Sequence, residues 1–123
     1  EQAWASADLA INFCSPVAVG GYLYGLGPSK KLFCADIRTG KPAWVKSEFY
    51  SGGKGHASFT VMGPNILVLA EDGQLTLIAA DSSQLTAIST AKACGANWCT
   101  PAYADGKLYL RDDNRLLCLD LMP

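Results

Sequence analysis

Two short stretches of this chain carry the side chains best suited to chemistry. Residues 12–16 read NFCSP and residues 97–101 read NWCTP, so Asn, an aromatic, Cys, a small hydroxyl residue and Pro recur 85 positions apart in 123 residues. The pair could be a duplicated active site, a disulfide pair or one beat of a repeat. A reactive thiolate needs a lowered pKa, however, and no Lys, Arg or His flanks Cys14 or Cys99. The five cysteines are odd in number and show no CxxC spacing, so at least one thiol is unpaired and a zinc site has poor support. Only Cys94 and Cys99 lie near enough in sequence for a local bridge, and their spacing does not fix its geometry. His56 is the one residue that titrates near neutrality. It could act as a base or a metal ligand, but it has no partner acid, Cys or second His nearby in sequence. Asp36 and Asp120 are candidates for paired catalytic carboxylates. Ser51-Gly52-Gly53-Lys54-Gly55 looks like a phosphate-cradling loop, although it lacks the GxxxxGKS or GxxxxGKT pattern and no helix follows, so a flexible connection is the simpler reading.

The elements that position these residues follow from an internal repeat. CSPVAVGGYLY from Cys14 aligns with ASFTVMGPNIL from Ala57 and CTPAYADGKLY from Cys99, at offsets of 43 and 42. Further on, KLFCADI from Lys31 aligns with QLTLIAA from Gln74 and RLLCLDL from Arg115. A period in the low forties admits helical repeats or propeller blades. Alternating apolar residues rich in β-branched and aromatic types, at Ser15 to Val19, Tyr22 to Leu26, Leu32 to Ile37 and Ala43 to Val45, predict four short strands per repeat. Gly20-Gly21, Gly63-Pro64 and Asp105-Gly106 recur where tight hairpins need them, and the Gly and Pro spacing leaves no window for a long amphipathic helix.

The expected fold is therefore all-β: a partial β-propeller of four-stranded antiparallel blades, about three in this chain. Residues 1–8 are expected as the fourth strand of a preceding or closing blade, since Gln2-Ala3-Trp4 resembles Pro42-Ala43-Trp44. Residues 14–50 and 57–91 form two blades, and 99–121 three strands of a last one. Three blades fall short of the typical four to eight, so either upstream blades are missing or two copies close a six-bladed ring. The chain begins at Glu1 without an initiator Met, which suggests an internal cut or a processed end.

Composition removes several function classes. Ten basic residues against eleven acidic ones, with no basic run, leave no footprint for nucleic acid or an anionic membrane. The longest uninterrupted apolar run, Ile66 to Ala70, is far short of the roughly 20 residues that span a bilayer.

The order SPVAVGGYLYGL, then KLFCADIRTGKPAW, resembles the pyrroloquinoline-quinone-type repeat, with its Pro-led inner strand, Gly-turned second strand, and third strand running into Asp, Thr-Gly, Lys and Trp. The likeness covers essentially the whole chain. It is strongest at Asp36, Thr39, Gly40, Lys41 and Trp44 and in TPAYADGKLYLRDDNRLLCLDL. The middle blade departs from it, with Ala79 in place of the Asp, Ser82-Ser83 in place of Thr-Gly, and no closing Trp. The resemblance implies an eight-bladed or similar propeller, related in fold to quinoprotein alcohol dehydrogenases and to the propeller lipoprotein of the bacterial outer-membrane assembly machinery. The enzymes of that superfamily carry adjacent cysteines under the quinone, a stacking Trp, calcium held by side-chain oxygens and an Asp base. This chain has no Cys-Cys pair and no acidic cluster with calcium-ligand spacing; Asp112-Asp113-Asn114 reads as a hairpin turn.

The repeat also reinterprets the candidate residues. Asp36 and Asp120 hold equivalent places on different blades, where an Asp before a turn binds backbone N–H groups. Trp4 and Trp44 are expected to pack between blades with the indole N–H on backbone. A whole blade separates Cys14 from Cys99, which makes them buried small hydrophobes rather than a disulfide. Asn12 and Asn97 precede inner strands and either cap a connecting loop, which Asn favours, or face the channel mouth, as His56 also could. The function expected is that of a non-catalytic, rigid propeller scaffold for a protein or extended polymer, with no cofactor. The alternative is the C-terminal part of a quinone-dependent oxidoreductase whose quinone and calcium site lies in other blades. Family analogy suggests the periplasm or cell surface, although free thiols favour a reducing compartment.

Overall fold

In the computed structural model, residues 1–11, 13–50 and 53–121 are described. They contain eleven strands: β1 (Val17–Val19), β2 (Tyr22–Gly27), β3 (Lys31–Asp36) and β4 (Pro42–Lys46); β5 (Ala57–Met62), β6 (Asn65–Ala70), β7 (Gln74–Ala79) and β8 (Ala87–Lys92); and β9 (Ala102–Ala104), β10 (Lys107–Arg111) and β11 (Leu116–Asp120). They build two four-stranded sheets and one three-stranded sheet, each a meander of antiparallel neighbours in chain order. This is the expected blade series. No helix among the described residues is long and apolar enough to cross a membrane.

The first hairpin of each blade is set by its turn residues. Gly20 and Gly21 both have positive φ, +58° and +82°, as do Asp105 and Gly106 at +50° and +75°, the type I′ pattern that matches strand twist. In the middle blade, Gly63 at +57° followed by Pro64 serves the same two-residue loop between Met62 and Asn65. The third strands of the first two blades share a second feature. The register shifts between Cys34 and Ala35 and again between Leu77 and Ile78, equivalent points of the repeat.

The apolar run Ile66 to Ala70 is explained by burial on both faces of β6. Ile66, Val68 and Ala70 join Tyr24, Leu26, Leu32 and Ile78 in a core shared by the first two blades. Leu67 and Leu69 point the other way, to Leu108 and Leu110 of the third. A period of two with both faces covered reads as a continuous apolar stretch.

The segment of residues 1–6 forms no ladder with any described strand. Its tryptophan is nonetheless docked: Trp4 Nε1 donates to the carbonyl of Ile37 at 3.0 Å, and its ring lies over Gly40. A Cβ at Gly40, where φ is +72°, would come within 2.5 Å of that ring, so the Thr-Gly of the repeat serves both the turn and the tryptophan.

Candidate functional site at the axial mouth

The residue just before each aligned repeat segment, which starts at Cys14, Ala57 or Cys99, is Phe13, His56 or Trp98, at offsets of 43 and 42. Because β1, β5 and β9 are the inner strands, these three side chains meet at one end of the blade axis. Trp98 stacks on His56 with ring centroids 4.9 Å apart and planes 9° from parallel. It also meets Phe13 at 5.0 Å and 49°. Phe13 and Trp98 are half exposed, at 48% and 50%, whereas His56 is buried at 8%.

His56 is held from every side. Its backbone N–H donates to Glu71 Oε2 at 2.6 Å, and its carbonyl accepts from the Tyr50 hydroxyl at 2.9 Å and from Glu71 N at 3.1 Å. Its ring Nδ1 lies 2.8 Å from the carbonyl oxygen of Phe13. That oxygen can only accept, so Nδ1 donates to it. Among the described residues, Nε2 of His56 and Oγ of Ser58 are buried without a hydrogen-bond partner. Both residues border a cavity of about 300 Å³, together with Phe13, Ser15, Phe59 and Thr100.

Glu71, which no sequence pattern marks, anchors this end of the middle blade. Its buried carboxylate accepts from the Lys54 and His56 backbone N–H groups and from the Tyr50 hydroxyl at 3.0 Å. Burial alone pushes the Glu71 pKa up, but these donors outweigh it and hold the group below its ordinary value. Gly53, at φ +72°, passes so close that a Cβ would lie 2.0 Å from Glu71 Oε1. The glycine-rich stretch therefore cradles an anion, and the anion is the chain's own carboxylate; Ser51 and Gly52 lie outside the described residues.

The remaining candidates are distributed as follows. Asn97, 2% exposed, donates through Nδ2 to the carbonyls of Ala70 at 3.1 Å and Gly95 at 3.2 Å, and its backbone N–H donates to Glu71 O at 3.0 Å. It ties the loop before β9 to the end of β6 and does not line the cavity. Asn12 lies outside the described residues. Asp36 accepts the Arg38 N–H at 2.7 Å inside the β3–β4 turn, whose Thr39 hydroxyl accepts from Lys41 N at 3.3 Å. Asp120 sits 3.8 Å from Lys107 across β10 and β11. In the middle blade the turn carboxylate comes two positions after Ala79: Asp81 accepts from Ser83 N at 2.8 Å and Ser83 Oγ at 2.7 Å. Trp44 packs near Tyr24 and donates its indole N–H to the Asp81 carbonyl at 2.8 Å, joining the first two blades.

All five cysteines are free. Cys14 donates to Leu26 O at 3.2 Å and Cys99 to Arg111 O at 3.1 Å, the same bond 85 residues apart. The twin motif is thus a beat of the repeat. Burial pushes the Cys14, Cys34 and Cys94 thiols up from their ordinary pKa, which leaves them protonated. Asp112, 5% exposed, is held far below the usual carboxylate range, first by the Gly95 N–H at 3.0 Å and then by Asn114 N at 2.9 Å and Arg115. Among the described residues no three His, Cys, Asp or Glu side chains gather into a group that could hold a metal ion. With no adjacent cysteines in the sequence, these residues do not fit a quinone and calcium site of the dehydrogenase type.

No protein-family model matches the chain, and no curated protein matches it. Solved structures do. BamB from Moraxella catarrhalis superposes with a TM-score of 0.69 at 20% identity, over 86% of this chain and 32% of that one. The quinohemoprotein alcohol dehydrogenase ADHIIG from Pseudomonas putida HK5 superposes with a TM-score of 0.59 at 19% identity, over 79% of this chain and 16% of that one. The chain spans less than a third of either structure. With its blade series, turn chemistry and inter-blade tryptophan, the chain has the fold of a partial β-propeller.

Proposed function

We propose that this chain is part of a non-catalytic propeller scaffold that binds a protein or an extended polymer at the axial mouth. The observation that carries the reading is the rigid aromatic cluster of Phe13, His56 and Trp98, two of whose rings stay half exposed. Clustered exposed aromatics on a stiff frame give contact area at low entropic cost. The acidic groups of the blades support a scaffold role, since Glu71 and Asp112 are engaged by backbone donors and Asp36 and Asp81 by turns. Further blades, from a longer chain or a second copy, complete the ring. The fold likeness to bacterial propellers supports a periplasmic or cell-surface location.

The test is site-specific photo-crosslinking in the natural protein within its own cells. A photoreactive residue at position 13 or 98 gives a discrete macromolecular adduct, while the same residue at the exposed position 45 of β4 does not. Equal labelling at all three positions, or none, would sink the reading. The second reading, a portion of a quinone-dependent oxidoreductase, draws on the likeness to the alcohol dehydrogenase. It requires dye reduction by the full-length protein with alcohol, pyrroloquinoline quinone and calcium.

A further inference from the structure

We propose that the junction between the second and third blades is a binding site for an uncharged, flat, bicyclic aromatic molecule of the indole class. The site lies apart from the axial mouth and goes beyond the function proposed there.

The repeat itself shows what the site is shaped for. On the ladders, Trp44 of β4 pairs with Cys34, and Ser89 of β8 pairs with Leu77. Cys34 and Leu77 are one position of the repeat, so Ser89 stands where the first blade has its closing tryptophan. Two residues along, Ala91 opposite Leu75 stands where Lys46 lies opposite Leu32. Directly paired residues share a face of the sheet, and Leu75 and Leu77 face the third blade. β8 therefore turns two small residues toward the third blade, where β4 turns an indole and a long stem toward the second.

Burial follows the substitution. Beside Trp44, the residues Tyr24, Leu32 and Cys34 are 1%, 0% and 0% exposed. Leu75 and Leu77, the counterparts of Leu32 and Cys34, are only half-buried. A cavity of about 300 Å³ opens beside them, lined by Met62, Leu67, Leu75, Leu77, Ser89 and Leu121 among others. It persists although Leu77 and Leu121 are larger than their counterparts Cys34 and Ala80. β8, the fourth strand of the second blade, is exposed along its length, so Trp44 and not that strand covers the first junction.

The lining selects the ligand. No charged side chain borders the cavity, so an ion would bury its charge without a partner. Apolar cavities of this kind stay dry and take up aromatic molecules. Facing sheets pack roughly 10 Å apart, so a slot flanked by small side chains admits a flat ring system. The Met62 thioether favours an aromatic neighbour, and the Ser89 hydroxyl, at the place of the Trp44 ring, can accept one N–H. A volume of about 300 Å³ lies at the lower end of small-molecule sites, which suits two fused rings.

The experiment titrates the 123-residue chain with indole. Octanol serves as the aliphatic control, indole-3-acetate as the charged one and N-acetyl-tryptophan amide as the ring carried on a peptide. The readouts are the Met62 methyl resonance and the thermal midpoint. Indole is expected to shift the Met62 methyl saturably and to raise the midpoint, and octanol and indole-3-acetate to bind more weakly. Ser89→Trp, which rebuilds the first blade's arrangement on β8, is expected to abolish indole binding and to raise the midpoint of the free chain. Val45→Ala, on another blade, leaves indole binding unchanged. Should Ser89→Trp disturb the sheet, Ala91→Leu, which narrows the same slot, decides by its loss of binding. The proposal is overturned if indole leaves Met62 unmoved, if both variants bind indole as the wild type does, or if octanol or indole-3-acetate binds as tightly as indole. Binding of the tryptophan amide without binding of indole also overturns it and assigns the slot to a polypeptide side chain. Crosslinking from positions 13 and 98 is independent of all these outcomes, so the two readings fail separately.

Discussion

Glu71 shows how one residue organises the axial mouth. Its carboxylate fixes the Gly53 to His56 stretch from below, and that stretch delivers the His56 ring to Phe13 and Trp98. Since the folded-state pKa of Glu71 lies below its ordinary value of 4.5, the ionised form is the one that favours folding. That contribution is complete above the ordinary glutamate range and is lost as pH falls through the lowered folded-state pKa. Glu71→Gln retains the shape but loses the charge-assisted bonds. We expect it to lower stability by about 1–3 kcal/mol at neutral pH. The gap from wild type should narrow as the pH drops below 4.5. Urea denaturation of both proteins across that range checks the sign: a gap that widens in acid would mean that folding raises the Glu71 pKa instead of lowering it.

At the scale of the element, the tryptophans tie segments to neighbouring blades. Trp44 of β4 reaches the Asp81 carbonyl after β7, and Trp4 reaches the Ile37 carbonyl after β3, so one device works at two junctions. The Trp44 bond is partly buried and the Trp4 bond is exposed. Trp44→Phe is therefore expected to cost about 1–2 kcal/mol and Trp4→Phe less, measured by urea unfolding, because water replaces an exposed bond more readily. Equal costs would mean that ring packing governs both. These elements were legible in the sequence: glycine and proline placed the hairpins, and the apolar period placed the strands to within about two residues. The axial mouth was less so. His56 stood alone by sequence distance, yet one step back from each aligned repeat segment the repeat itself places Phe13, His56 and Trp98. That signal could have been read. The pairing of Glu71 with a loop 17 residues earlier could not, since local pattern carries no information about which turn closes over which.

At the scale of the molecule, stability is arranged as a row of neighbours. One hydrophobic cluster joins the first two blades and a smaller one joins the second and third, with β6 contributing alternate faces to each. Repeat proteins built this way behave as coupled units and open in parts. Ile78 and Leu108 are both fully buried, one in each cluster, so either truncation to alanine should cost about 2–5 kcal/mol. Their consequences should differ in extent. Leu108→Ala removes packing only between the second and third blades, so hydrogen exchange is expected to quicken in β9, β10 and β11 while β2 and β3 keep their protection. Ile78→Ala strikes the larger cluster, through which the middle blade supports the first, and should quicken exchange from β2 through β7. Exchange followed by mass spectrometry on both variants separates the two patterns. Uniform loss of protection from Leu108→Ala would mean that the blades form one cooperative unit. The axial mouth would then be only as rigid as the chain's weakest blade, because Trp98 hangs from the third blade and His56 from the second.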